Sequence, residues 1–228
     1  MKEKISITAI SSVSPLGNKA EEIWEAYQNR DHYLTLENFN ESPTWVGSLP
    51  SSLQKQMEEL ASSNSKYQKL DNSVLYAIFA ARRAVQKAGW KDGQDFGVNL
   101  GSSRGATQLF EKYHQEFLET GKASTLSSPT TTLGNISSWV AHDLGSNGPE
   151  ISHSITCSTG LHSVLNGIAW LNSGMADKFL VGGSEAPLTD FTIAQMKVLK
   201  IYAAAQVEVS NTSVDSGLSY PCRALDLE

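Results

Sequence analysis

A strand-like stretch that runs directly into a helix-like stretch at Cys157 is the feature that most constrains the fold. Residues 151–156 alternate and end in β-branched residues, which is typical of a strand. From Leu161 to Leu171, apolar residues recur at helical spacing, and Gly174 closes the pattern. Unpaired backbone N–H groups and the helix dipole at such a junction favour thiolate over thiol. Cys157 is therefore a candidate nucleophile.

The chemical role of this thiol stays open on residue physics alone, because a buried, inert cysteine at a strand–helix junction is the alternative. Small neighbours favour the reactive interpretation, since they keep the helix start open to a substrate carbonyl. These neighbours are Thr156, Ser158, Thr159 and Gly160. A cysteine nucleophile also normally needs a base or a cationic partner.

None of the five histidines is predicted to be that base. His162 lies five residues along the helix and points about 140° away from Cys157, at about 100° per residue. His153 shares a strand face with Cys157, but ~3.3 Å per residue places it ~13 Å away. The other three fall in segments typical of surface or packed histidines: His32, His114 and His142. The sequence therefore shows a nucleophile without a local base.

Strand-like and helix-like segments alternate along the chain, which indicates an α/β layered architecture. Further strands are predicted at residues 4–13, 97–102 and 178–183, the last of them buried. Further helices are predicted over about 18–29, 71–88, 105–119 and 132–144. Irregular segments are predicted at 30–65, 120–131 and 205–220. With no repeat, low-complexity tract or linker, we expect one domain over residues 1–228.

Local signals at the ends of two helices sharpen these predictions. Asn18 and Glu21 have the spacing of a capping box. Ser14 to Gly17 is predicted to form a turn. Asp71 and Gly89 are predicted to begin and end the helix with the clearest pattern. The apolar stripe of that helix consists of Val74, Ile78, Ala81, Val85 and Ala88.

Composition excludes several classes of function. The net charge of −6 argues against nucleic acid as the main partner. No apolar run is long enough for a bilayer, and the first residues lack a secretory signal, so no membrane is expected. Two cysteines predict a reducing, cytoplasmic environment, with Cys222 structural. No spacing typical of metal ligands or phosphate loops occurs, so we expect no metal and no cofactor.

Several segments together resemble the β-ketoacyl synthase family of the thiolase-like superfamily. Residues 154–162 read Ser-Ile-Thr-Cys-Ser-Thr-Gly-Leu-His, and residues 182–186 read Gly-Gly-Ser-Glu-Ala at the distance typical of the family. Residues 101–105 and the Ser14–Gly17 turn agree with it, as does Cys222 to Asp226 apart from Ala224 in place of proline. Ile155-Thr156 also departs from the usual Thr-Ala.

The resemblance implies a thiolase-like layered α/β fold, of which this chain is the N-terminal half, with the nucleophile at the start of a buried helix. Cys157 would accept an acyl group, and its backbone N–H would serve the oxyanion hole. A malonyl thioester would then condense with the acyl group in fatty acid, polyene or polyketide synthesis. The family's catalytic histidines lie in the C-terminal half. We therefore expect a truncated chain that is inactive alone.

The resemblance also implies partners. An acyl carrier protein or acyl-CoA would deliver the acyl group, and Lys66 and Lys69 fall where the family places part of its carrier-docking patch, with Arg82 and Arg83 further along. Ordinary solvated lysines are the alternative. The family is dimeric, so a homodimer or a ketosynthase heterodimer is expected, with residues 152–155 as the interface strand. An isolated half should expose an apolar face and associate.

Two other functions remain open at this point. A non-catalytic ketosynthase-like subunit of a heterodimer would typically lack the cysteine, so Cys157 argues against it. A thiolase or acyltransferase of related fold would keep an activated cysteine and change the substrate.

Overall fold

The computed structural model describes residues 4–29, 31–91 and 95–199. In chain order its elements are α1 (Ala20–Gln28), β1 (Thr35–Phe39), β2 (Ser42–Val46), α2 (Ser51–Ser62), a 3-10 turn (Tyr67–Lys69), α3 (Asn72–Ala88), β3 (Gly97–Gly101), α4 (Thr107–Thr120), α5 (Ser127–Thr131), α6 (Asn135–Leu144), β4 (Glu150–Ile151), α7 (Thr159–Asn172), β5 (Phe179–Gly183) and α8 (Asp190–Val198). Cys222 and the predicted loop at 205–220 lie outside the described residues. Within the described ranges, no helix is both long and apolar enough to cross a membrane.

A parallel sheet in the order β4-β3-β5 forms the centre of the molecule. Strand β3 is entirely buried, because α3 and α6 pack on one face and α7 on the other. Successive strand side chains alternate between faces. Val98 and Leu100 therefore join the main apolar cluster, while Gly97, Asn99 and Gly101 face α7 and β5.

The main apolar cluster is built by the predicted stripe of α3. Val74, Ile78 and Val85 are buried in it together with Ile136 and Val140 of α6. Both predicted ends of α3 are confirmed. The carboxylate of Asp71 accepts the Ser73 N–H at 2.9 Å, and Gly89 closes the helix in the left-handed conformation at φ +68°.

Helix α7 packs on the sheet through small residues rather than through its predicted apolar stripe. Its buried residues are Thr159, Ser163 and Gly167. A Cβ on Gly167 would lie 2.6 Å from Val181 Cγ1, so only glycine permits this approach. Leu161 and Leu165 of the predicted stripe are 65% and 52% exposed. The apolar stripe therefore lies on the face of α7 away from the sheet, because the close approach to the sheet selects for small side chains, and this exposed stripe agrees with the apolar face expected of this half.

The predicted strand at 4–13 is wrong. No described strand pairs with it, and Ile7 and Ile10 are exposed, because an alternating pattern forms a strand only beside a partner backbone. The Ser14–Gly17 turn is confirmed by two reciprocal backbone hydrogen bonds of 3.1 and 2.9 Å. The capping box is not formed. Lys19 is the N-cap, without a side-chain cap, and its ammonium pairs with Glu22 at 2.6 Å.

The predicted irregular segment at 30–65 is also wrong, since it folds into the β1–β2 hairpin and α2. The hairpin turn holds Asn40 and Glu41 at φ +48° and +60°, a conformation that Asn-Gly usually signals. Pro43 further weakened the strand pattern. Helix α2 buries a stripe that the sequence reading missed: Leu53, Met57 and Leu60.

Four further features differ from the predictions. Helix α5 lies inside the predicted loop at 120–131, and α6 begins at Asn135 rather than Thr132. Strand β5 is half-buried rather than buried. The predicted strand at 151–156 is reduced to β4, which pairs with β3 only at Val98↔Glu150 and Asn99↔Ile151.

The shortening of β4 has a specific cause, which is a serine hydroxyl inserted between the two strands. Ser137 Oγ of α6 accepts the Leu100 N–H at 2.9 Å and donates to the Ile151 carbonyl at 2.5 Å. It therefore takes up the donor and the acceptor that would continue the ladder. Beyond it the Ser102 N–H donates to the His153 carbonyl at a long 3.4 Å.

An ionic cluster of Tyr67, Arg82 and Asp143 joins the 3-10 turn, α3 and α6. The Asp143 carboxylate accepts the Tyr67 hydroxyl and two Arg82 N–H groups at 2.6 and 2.8 Å. Burial, followed by the bond to Asp143, raises the pKa of Tyr67, and the bond to Asp143 raises the pKa of Arg82. The Asp143 side chain is 1% exposed and that of Arg82 46%, so the carboxylate depends on its partners more than the cation does.

We predict that Asp143→Asn destabilises the protein by about 1–3 kcal/mol, because it weakens charge-assisted bonds to two partners. Urea unfolding followed by circular dichroism measures this. Glu22→Gln, which breaks the exposed pair with Lys19, is the control and should leave the transition unchanged. Equal stability of Asp143→Asn and wild type would contradict the prediction.

Candidate active site

Cys157 lies in a tight turn between β4 and α7, two residues before the first helical residue. The preceding residue, Thr156, has φ +46°, which is rare for a β-branched side chain and strains the backbone. Thr159 holds this turn. Its hydroxyl donates to the Thr156 carbonyl at 2.7 Å and accepts the Ile155 N–H at 2.8 Å. The turn thus presents the Cys157 side chain outward.

Two backbone N–H groups of the turn donate hydrogen bonds within it. Ser158 N–H donates to the Ile155 carbonyl at 3.3 Å, and Thr159 N–H donates to the Thr156 carbonyl at 3.2 Å. Among the hydrogen bonds of the described residues, none is donated by the Cys157 N–H. That group lies beside the thiol and can donate to a substrate oxygen.

Cys157 is exposed and lines a cleft of about 240 Å³. The cleft forms where the carboxyl ends of β3 and β5 meet the N-terminal end of α7, the edge of a parallel sheet at which ligands commonly bind. Its lining is small or polar, and includes Gly101, Ser103, Thr156, Gly160, Gly183 and Glu185.

Glycines set the spacing between the cysteine turn and the sheet. A Cβ on Gly101 would lie 2.1 Å from Thr159 Cγ2, and one on Gly183 would lie 3.3 Å from Gly160 Cα. Glu185 fixes the loop after β3, because its carboxylate accepts both the N–H and the hydroxyl of Ser103, the latter at 2.8 Å.

No histidine among the described residues lines the Cys157 cleft. His162 Nδ1 lies 3.1 Å from the Ser158 carbonyl. His153 contacts Asn99 Oδ1 through Nδ1 at 3.1 Å and the Thr159 carbonyl through Nε2 at 3.2 Å. The ring of His114 stacks on Phe110, far from a catalytic pose. The described cleft therefore holds an exposed thiol with no histidine in its lining.

The structure places Lys66 and Lys69 away from the cleft, on the exposed 3-10 turn that precedes α3. Lys66 lines a second cleft of about 330 Å³ with Ser138, Trp139 and His142. The two arginines further along α3 are engaged. Arg82 binds Asp143, and Arg83 stacks on Phe79 and donates to the Asn18 carbonyl at 3.3 Å.

Sequence reasoning missed the contact between the buried Asn99 and the half-buried His153 beneath the cysteine turn. Asn99 is fully buried in the middle of β3, and its amide faces His153 and the Ser163 carbonyl. The available signal was a single asparagine inside the otherwise apolar Gly-Val-Asn-Leu-Gly strand.

Comparison with known proteins identifies relatives over nearly the whole chain. It is 28% identical over 223 residues to 3-oxoacyl-[acyl-carrier-protein] synthase 2 of Vibrio cholerae, which covers 93% of this chain and 53% of that protein. The enzyme of the same name from Staphylococcus aureus is 28% identical over 199 residues, covering 84% and 48%. The chain thus spans about half the length of the curated relatives it matches.

Solved structures share the fold at low sequence identity. The ishigamide ketosynthase/chain length factor superposes with a TM-score of 0.73 at 19% identity, covering 87% of this chain and 51% of that one. A ketosynthase in complex with a type II PKS acyl-carrier protein gives 0.74 at 20% identity, covering 91% and 52%. These likenesses confirm the predicted thiolase-like layered α/β fold.

A family model decides the assignment. The one described as Beta-ketoacyl synthase, N-terminal domain matches residues 2–217, which is most of the chain. This match includes the Cys157 turn, the Gly182-Gly183 segment and the cleft between them. The chain therefore belongs to the β-ketoacyl synthase family, in which it represents the N-terminal domain.

Proposed function

We propose that Cys157 is the acyl-accepting nucleophile of a β-ketoacyl synthase. The observation that carries this proposal is the exposed thiol on a strained turn, at a cleft by the N-terminal end of α7. The sulfur lies beside the N-terminal end of a helix, a position typical of reactive cysteines. The small lining leaves room for the thioester and its carrier arm. Family membership supplies the substrate class.

The reaction then has two chemical steps. Cys157 Sγ attacks an acyl thioester, the acyl group moves to the sulfur, and the carrier thiol leaves. A malonyl thioester next loses CO₂, and its carbanion attacks the acyl carbonyl. This forms a carbon–carbon bond and returns the free thiol. The pathway would be fatty acid, polyene or polyketide synthesis.

The Cys157 N–H would stabilise the oxyanion that develops on the acyl carbonyl in both steps. One preorganised donor of this type is worth about 2.7–4 kcal/mol in other acyl-transfer enzymes. Because the described cleft holds no histidine, the groups that assist decarboxylation would come from outside the described residues. Residues 1–228 alone would then accept an acyl group without condensing it.

The role of a non-catalytic heterodimer subunit is the second candidate. One structural neighbour is a ketosynthase/chain length factor pair, so the fold alone is compatible with both roles. The exposed Cys157 favours the catalytic subunit, since a subunit that only shapes a partner's pocket has no use for a presented thiol.

An acyl carrier protein is the proposed partner, with acyl-CoA as the alternative donor, in the cytoplasm. One solved neighbour is described as a ketosynthase in complex with a carrier protein. Lys66 and Lys69 are exposed here, and His142 lies beside Lys66. Since Arg82 and Arg83 are engaged, the two lysines would carry most of the attraction for an acidic carrier.

A second apolar layer is proposed to cover α7. Leu161, Leu165 and Ile168 form an exposed stripe on the helix face that the sheet does not use. A stripe of this kind marks an interface. A homodimer, a heterodimer or the other half of a longer synthase would bury it. Residues 152–155, which form no strand here, remain the proposed edge of that interface.

We predict that the protein forms a covalent thioester on Cys157 when it is incubated with short- and medium-chain acyl-CoA. Intact-mass spectrometry and peptide mapping detect the adduct, and hydroxylamine should release it. Cys157→Ser should reduce acylation to background, because it removes the nucleophile. Cys222→Ser is the matched control and should retain the adduct. Modification of Cys222 alone, or an adduct that survives in Cys157→Ser, would contradict the proposal.

We predict that Lys69→Glu raises KM for an acyl carrier substrate roughly 2- to 10-fold with kcat unchanged, because it reverses one charge at the docking surface. The measurement uses the complete synthase at low and high salt, and the effect should shrink at high salt. Lys91→Glu is the control. It makes the same charge change at the other end of α3, about 25 Å away for a helix of this length. An equal KM for wild type and Lys69→Glu would remove the docking role.

A further inference from the structure

We propose that His153 is a positioning residue for Cys157, which holds the first turn of α7 against β3 and so fixes the turn that presents the thiol. The catalytic consequence rests on the proposed function of Cys157 as nucleophile. The positioning itself rests only on the contacts between β3, His153 and α7.

Asn99 depends on His153 for its hydrogen bonding. Its side chain is fully buried at the centre of β3, on the face where the neighbouring positions are Gly97 and Gly101. A buried amide is unfavourable unless it is hydrogen-bonded. Its contact with the Ser163 carbonyl is long, at 3.5 Å, while that with His153 Nδ1 is 3.1 Å. His153 is therefore its main partner.

The contact with Thr159 determines which imidazole nitrogen of His153 carries hydrogen. His153 Nε2 lies 3.2 Å from the Thr159 carbonyl oxygen, which can only accept. Nε2 must therefore carry hydrogen in either orientation of the Asn99 amide. His153 consequently has no free Nε2 lone pair for the thiol, and its contribution is a donated hydrogen bond rather than proton abstraction.

The bond from His153 to Thr159 is connected to the turn that carries Cys157. Thr159, whose carbonyl His153 holds, also bonds the Thr156 carbonyl and the Ile155 N–H through its hydroxyl. A chain of hydrogen bonds thus runs from the buried centre of β3 to the residue adjacent to Cys157. The packing allows little slack, since a Cβ on Gly101 would lie 2.1 Å from Thr159 Cγ2 and 3.5 Å from His153 Cε1.

Loss of the Nε2 donor should loosen the first turn of α7. Thr156, which is held at φ +46°, could then relax to a backbone conformation with negative φ. The thiol would lose its fixed direction into the cleft, and displacements of about 1 Å at a reacting group can reduce rates about 100-fold.

Two substitutions of His153 separate the donor to Thr159 from the contact with Asn99. An asparagine amide reaches the position of Nδ1 only, whereas a glutamine amide reaches that of Nε2. We expect His153→Asn to slow alkylation of Cys157 by iodoacetamide roughly 5- to 10-fold, because a loosened turn no longer holds the thiol at the N-terminal end of α7. We expect His153→Gln to stay within about threefold of wild type, because it restores the donor. Equal rates for both variants, whether slow or unchanged, would overturn the proposal.

Two controls keep the result specific. Asp143→Asn destabilises the fold away from the cleft and should leave the alkylation rate unchanged, so stability loss alone does not explain a slow His153→Asn. Nitrogen-15 NMR of the His153 ring should show hydrogen on Nε2 in the wild-type protein. A ring with hydrogen on Nδ1 alone would overturn the assignment.

Acylation by acyl thioester, measured in parallel, separates this proposal from the proposed function. If the alkylation pattern holds but wild type is never acylated, the positioning role stands and the synthase function fails. If wild type is acylated and both His153 variants react like it, the function stands and the positioning role fails. In the complete synthase, His153→Asn should lower kcat and leave the KM for carrier substrate unchanged.

Discussion

The close approach of α7 to the parallel sheet is the constraint on which the candidate site depends. Thr159 can sit over Gly101 only because β3 carries no Cβ there, and Gly160 lies close over Gly183 in the same way. This approach brings the N-terminal end of the helix to the carboxyl ends of β3 and β5, where the cleft opens. The hydroxyl of Thr159 then holds Thr156 in a left-handed conformation that a threonine adopts rarely. The position of Cys157 is thus a consequence of packing several residues away from the sulfur.

The same packing explains the division of α7 into two faces. The small side chains of Thr159, Ser163 and Gly167 pack on the sheet. Leu161 and Leu165 therefore lie on the opposite, exposed face of the helix. An exposed apolar stripe of this kind is the reason for proposing a further packed layer on this face.

The elements predicted well from sequence are those with local, self-contained signals. Helix α3 has both caps and an uninterrupted stripe, and the helix that follows Cys157 begins at the small residues that predict its start. The failures share a dependence on distant residues. Residues 4–13 have a strand pattern without a described partner, and the ladder of β4 stops because Ser137 enters from another element. The Asn99–His153 pair could not be predicted, since its residues are far apart in sequence and meet only through the sheet.

The central claim is that the folded turn, and not the cysteine alone, makes this thiol reactive. The most direct test compares the iodoacetamide alkylation rate of Cys157 in the folded protein with its rate in urea. Each rate is normalised to a peptide of residues 154–162 in the same solvent, and peptide mapping resolves Cys157 from Cys222. The account predicts that folding raises the normalised rate roughly tenfold or more, as expected for a thiol at a helix N-terminus. A normalised rate that is equal or lower in the folded protein would contradict it.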